Sequence, residues 1–230
     1  MQDAAIELRD DFENREPSAI WSRSRMPQDG YQVAMAPERL GDMAAILTVR
    51  PGDFLRQHSG ETQIRERCEL GEKMEYWIEP GTDVWYGISF FIPEHFLVVD
   101  NRLVIAQWRT SQTTSRRENP PLSLRYINGE LLFTIKDEDR WITLFTEARV
   151  AKGVWHDLLV NYRWGENHVG QCQAFLNGTD KGKYDGYLGY SHLPAQLQFR
   201  FGLYRDHLEQ AQSLLFSRFR RGATREFCER

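Results

Sequence analysis

Three short stretches carry reactive side chains at the two-residue spacing of a strand face. Arg67-Cys68-Glu69-Leu70 alternates charged with apolar residues, and Gln107-Trp108-Arg109 sets an amide and a guanidinium on one side of an indole. Phe199-Arg200-Phe201-Gly202-Leu203-Tyr204 puts Arg200, Gly202 and Tyr204 opposite Phe199, Phe201 and Leu203. Brought together, an amide and a charged fork would neutralise a carboxylate. A phenol beside them would take up a proton and return it. Tyrosine ordinarily titrates near pH ~10, so its basic form needs cations close by.

The elements that must position these groups read as strands. Short alternating or branched and aromatic runs recur at Val84–Ile92, Leu103–Trp108, Leu122–Tyr126, Leu131–Ile135, Trp155–Trp164, Gln171–Leu176, Leu197–Tyr204 and Leu214–Arg220. Asn177-Gly178 predicts a tight hairpin, and Pro51-Gly52-Asp53 and Glu79-Pro80-Gly81 predict turns. Arg205–Ser213 has room for one or two helical turns. In Leu103–Arg109 the alternation assigns Val104, Ala106 and Trp108 to the core and Ile105, Gln107 and Arg109 to the other face. In Ile64–Leu70, Cys68 and Leu70 fit the core, and Arg65, Arg67 and Glu69 the opposite side. The expected fold is all-β: a jelly-roll sandwich of concanavalin A-like type, one domain over residues 1–230, with a concave polar groove on one sheet. Arg67, Gln107, Arg200 and Tyr204 would meet in that groove. Arg200 and Tyr204, four residues apart, lie roughly 13 Å from each other. Gly202 between them would leave space for a ligand ring.

In order and spacing the three stretches resemble the R-x-E-L, Q-x-H and Y-F-K-x-G-x-Y strands of jelly-roll polysaccharide lyases, notably alginate lyases. Heparin lyase I and glucuronan lyases are similar in the K-x-G-x-Y ending. The resemblance runs over roughly residues 10–222 and includes Trp85-Tyr86-Gly87-Ile88-Ser89-Phe90 and the start Asp11-Phe12-Glu13. It implies β-elimination on a uronate-containing polymer that is glucuronan-, alginate- or heparin-like, with an anionic polysaccharide as partner and no cofactor beyond an optional structural calcium. The implied catalytic set is Tyr204 as base and acid, Gln107 and Arg67 on the sugar carboxylate, and His58 as an assisting imidazole. Arg200, Arg109, Arg65 and Arg125 are implied substrate contacts, with Glu69 orienting Arg67. With one tyrosine in charge, proton and leaving oxygen lie on the same face of the sugar.

Two positions depart from the pattern. Arg200 replaces the usual Lys, which keeps the charge and changes its donor geometry. Arg109 stands where alginate lyases carry histidine. The base is then Tyr204 alone, Tyr204 with another histidine, or absent, and the last case describes a non-catalytic carbohydrate-binding jelly roll. For His58 the alternative is an exposed loop residue, and Arg116-Arg117 is either a grip on a polyanion or a solvated loop. His156, among apolar residues, is expected to be structural, and Trp108 to pack in the core rather than against sugar.

Composition narrows the rest. The chain has 230 residues and a formal net charge of −4. That whole deficit sits in residues 1–16, so the remainder is balanced, which argues against a general nucleic-acid binder. No apolar run approaches the ~20 residues of a membrane span. The opening MQDAAIELRDDF has no basic and apolar leader pattern, although a polymer substrate points to a secreted or periplasmic site of action. The three cysteines fit no metal or redox spacing; buried small hydrophobes are expected, with an exposed thiol near the C-terminus. The basic run Arg218-Phe219-Arg220-Arg221 reads as a solvated edge. Hydrolase, phosphate-loop and dinucleotide motifs are missing, as is the paired-carboxylate cluster of glucanases.

Overall fold

The computed structural model describes residues 5–53, 65–110, 119–137, 140–164, 169–189 and 196–229. Among them the strands in chain order are β1 (Leu8–Asp10), β2 (Trp21–Arg25), β3 (Tyr31–Met35), β4 (Met43–Val49), β5 (Arg65–Glu72), β6 (Asp83–Phe91), β7 (Leu103–Thr110) and β8 (Leu122–Ile127). There follow β9 (Glu130–Asp137), β10 (Arg140–Glu147), β11 (Trp155–Arg163), β12 (Val169–Leu176), β13 (Thr179–Tyr187), β14 (Leu197–Asp206) and β15 (Gln212–Gly222). A short helix α1 (Arg225–Glu229) closes the described chain. No helix among the described residues is long and apolar enough to cross a membrane.

The strands form two antiparallel sheets, as expected. One has seven strands in the order β10-β9-β8-β7-β14-β5-β2. The other has eight, with β13-β12-β11-β6-β15-β4-β3 in a row and β1 joined to β15. Their facing sides make an aromatic core. Trp108 and Phe199 of the first sheet pack at 4.9 Å between ring centres, and Tyr86 and Phe219 of the second reach Phe199 at 5.1 and 5.8 Å. Each such pair adds roughly 0.5–1.5 kcal/mol beyond the burial of its area. The Asn177-Gly178 hairpin forms with both residues at positive φ, linking β12 to β13. Strands β1 to β4, β10 and β13 lie beyond those expected; β13 is so polar that only its pairing with β12 marks it.

The alternation holds along β14, where Leu197, Phe199, Phe201 and Leu203 are all in the core. It fails in β7. A bulge against β8 falls between Val104 and Ala106, so Leu103 and Ile105 face the core, and then Ala106 and Trp108 do. Val104 is turned out toward Arg125 and Tyr204, its ladder neighbours, in place of Ile105.

Four further expectations are corrected. Gly202 does not open room for a ligand: a Cβ there would stand 2.2 Å from the Cys68 carbonyl oxygen and 3.1 Å from Leu47, at φ 137°. The glycine is required by close backbone approach inside the sandwich. Gly202→Ala is therefore expected to cost at least about 3 kcal/mol, from backbone strain plus overlap, read as a drop in the thermal unfolding midpoint. The run from Arg218 to Arg221 is no solvated edge, because β15 lies inside its sheet and Phe219 and Arg221 are buried. Arg220 pairs with Asp11 at 2.6 Å and Arg221 with Glu72 at 2.8 Å. Cys228 is the buried residue of α1 and bonds the Trp85 carbonyl, so no cysteine near the C-terminus is exposed. Residues 207–211 make a bend between β14 and β15 and no helix.

Candidate functional site

The outer face of the seven-stranded sheet gathers the polar residues of β5, β14 and β7. Arg67 lies directly opposite Tyr204 in the β5–β14 ladder. The Arg67 guanidinium sits over the phenol ring, 4.1 Å from its centre. Arg102, just before β7, covers the same ring at 4.9 Å and is itself paired with Asp206. Tyr204 is only 8% exposed, so the ring is held between two cations with little freedom.

Glu69 ties the next two groups in. One carboxylate oxygen accepts from the Gln107 side-chain amide, and the other lies 3.2 Å from Arg67 Nε. Glu69 and Gln107 are each 1% exposed. One carboxylate thus fixes both the amide and the guanidinium.

Arg200 lies opposite Gln107 on one side and Gly71 on the other. Gly71 makes room for it, since a Cβ there would stand 3.1 Å from Arg200 Cγ. Its Nε donates to Gln198 Oε1 at 3.0 Å, while Nη1 is buried with no hydrogen-bond partner. Burial pulls the Arg200 pKa well down; Arg25, Arg109 and Arg67 add to that, and Glu69 opposes it. Arg25, on edge strand β2 opposite Glu69, is lowered for similar reasons, first by burial and then by Arg67. Among the described residues Arg25, Arg67 and Arg200 thus lie close together around the Glu69 carboxylate.

Arg109 stands opposite Gln198 at the far end of β7, and Arg65 opposite Asp206 at the start of β5. Arg125 on β8 donates from Nε to Ser123 Oγ at 3.1 Å, and that hydroxyl is 2.7 Å from Thr134 Oγ1. Burial lowers the Arg125 pKa, helped by Arg102. His58 and Arg116-Arg117 lie outside the described residues. His156 is structural, as expected: it is buried on β11, 2.8 Å from the Ala151 carbonyl and stacked on Phe90.

Sequence reasoning missed Arg25, Arg102, Lys136 and Trp141 on this face. The alternation of Arg23 and Arg25 in β2 carried a signal, but β2 reaches β5 only through long-range pairing. Arg102 lies one residue outside the predicted strand. Among the described residues no group of three or more His, Cys, Asp or Glu side chains could hold a metal ion.

The family model described as polysaccharide lyase matches residues 13–220. No curated protein matches the sequence. Among solved structures, endo-β-1,4-glucuronan lyase from the fungus Trichoderma reesei superposes with a TM-score of 0.66 at 15% identity, covering 96% of both chains. An alginate lyase of polysaccharide lyase family 7 gives 0.57 at 15% identity, over 86% of this chain and 85% of its own. A cellulose-induced protein gives 0.59 at 14% identity, over 94% and 97%. At these identities the likeness is one of fold.

Proposed function

Starting from a chain that belongs to the polysaccharide lyase family, we propose that this enzyme cleaves a uronate-containing anionic polymer by β-elimination at the outer face of its seven-stranded sheet. The polymer is of glucuronan, alginate or heparin type, met outside the cytoplasm by a chain acting as one domain. The observation that carries the reading is the linked set Tyr204, Arg67, Glu69 and Gln107, a phenol beside donors for a carboxylate.

In this reading the substrate carboxylate is received by the Gln107 amide and the Arg67 fork. Neutralising it makes the C5 proton of the same sugar more acidic and stabilises the enolate-like species that follows. Tyr204 takes that proton. The electron pair of the C5–H bond becomes the C4–C5 double bond, the C4–O bond breaks, and the leaving oxygen collects the proton from Tyr204. One group serves both steps because proton and leaving oxygen share a face of the sugar. His58 assists the proton transfer. Arg200 and Arg109 hold acidic groups of adjacent sugars, Arg65 and Arg125 those of sugars elsewhere along the chain, and the unpartnered Nη1 of Arg200 favours its role.

The test is to mix the chain with glucuronan, alginate, heparin and hyaluronan and follow the ultraviolet absorbance of unsaturated uronate. Absorbance should rise with at least one of them, and Arg200→Ala should raise the KM on that polymer without moving the pH profile. New reducing ends without absorbance would mean hydrolysis. Binding to the panel with no turnover would mean a carbohydrate-binding protein. Either result overturns the proposal.

A further inference from the structure

One aromatic residue on the polar face has no part in this chemistry. Trp141 lies near the start of β10, directly opposite Lys136 of β9, and is 45% exposed. Two cations attend it. The Arg125 guanidinium carbon is 4.7 Å and the Lys136 ammonium 5.5 Å from the ring centre. Lys136 is only 6% exposed, and no carboxylate among the described residues pairs with it or with Arg125. The neighbouring Asp137 carboxylate is taken up by Arg140 and the Tyr184 hydroxyl.

An exposed indole beside two cations that no described carboxylate neutralises is costly for a bare protein surface. The cations are partly desolvated, and the ring quadrupole returns only about 0.5–2 kcal/mol. An acidic pyranose offsets both costs at once. Its C–H face lies on the indole, which is amphipathic and already rigid. Its carboxylate reaches the cations. Neutral sugars would satisfy the ring alone and free anions the cations alone.

β10 is the fourth strand from β14, so Trp141 lies roughly 19 Å across the sheet from the Tyr204 strand at ordinary strand spacing. Arg25 marks the opposite flank, two strands beyond β14 on β2. We infer that Trp141, Arg125 and Lys136 form a distal subsite for an acidic sugar several units from the bond that is cut. This rests on the proposed lyase reading for its substrate class. Its consequence is specific: the subsite adds affinity for long chains and nothing for chains too short to reach β10.

The experiment compares the full chain with Trp141→Ala, Trp141→Phe and Lys136→Gln on the polymer that the wild type cleaves, and on the shortest oligosaccharide it still cleaves. Trp141→Ala should raise the polymer KM about fivefold to tenfold, with kcat changed less than about twofold. Trp141→Phe should restore most of the loss, and Lys136→Gln should fall between them. On the shortest oligosaccharide the KM penalty should disappear. An unchanged polymer KM, or an equal rise on both substrates, would overturn the subsite. Should the wild type cleave no uronate polymer, the lyase reading would fall by itself. Electrophoresis through gels containing alginate or heparin would then decide the subsite, retarded migration relative to Trp141→Ala supporting it and equal mobility overturning it.

Discussion

Tyr204→Phe is expected to lower kcat on the cleaved polymer about 10⁴-fold while leaving KM within about twofold. The change removes one oxygen and keeps the ring between Arg67 and Arg102, so packing and both cation contacts persist. The size follows from the double role. General acid–base groups contribute typically about 10²–10⁴-fold each, and here one phenol is assigned both transfers. A 10⁴-fold loss corresponds to about 5.4 kcal/mol of lost transition-state stabilisation. Initial rates of absorbance increase give kcat and KM, and a thermal unfolding curve should match the wild type. A variant keeping more than about a tenth of wild-type kcat would show that another group moves the proton.

Arg221→Met is expected to give the largest loss of stability, about 3–5 kcal/mol near neutral pH. Arg221 and Glu72 are 1% and 0% exposed and join β15 of one sheet to β5 of the other at 2.8 Å. Glu72 also accepts from the Phe199 backbone N–H at 2.9 Å, in the strand that carries Tyr204. Without Arg221 a carboxylate would be left in the core with no countercharge. Burial already pushes the Glu72 carboxyl from 4.5 up to about 7 against the pull of Arg221. A carboxyl raised in the folded state binds its proton more tightly folded than unfolded. It therefore costs nothing below about pH 4.5, and it costs progressively more stability as pH rises through the folded value. The deficit of Arg221→Met, measured by urea unfolding, should accordingly be small at pH 5 and large at pH 8. Replacing both partners, as in Glu72→Leu with Arg221→Met, should recover most of it, because an apolar pair needs no desolvation of charge. A deficit that does not change with pH would contradict this account.

Much of this was legible in the chain itself. The period of two along Leu197–Tyr204 put Phe199 and Phe201 inside and Arg200 and Tyr204 outside, and the structure agrees. The same logic placed Arg67, Glu69 and Gln107 correctly, because strand parity is a local property. It failed at Val104 and Ile105, where a bulge exists only in relation to the partner strand β8. It failed at Gly202 too, since the atoms that exclude a side chain there belong to Cys68 and Leu47, more than a hundred residues away.

The residue types and their alternation determined by themselves an all-β sandwich and the identity of the phenol, amide and guanidinium on its polar face. Tertiary structure decided which charges surround them. Arg25, Arg102, Lys136 and Trp141 join that face through strand order, and Arg220 and Arg221 leave the surface because Asp11 and Glu72 meet them across the fold. The physical reason is range. Which way a side chain points is set by its neighbours along the strand. Whether a charge is buried, paired or waiting for a ligand depends on groups that only the packed sheets bring within a few ångströms.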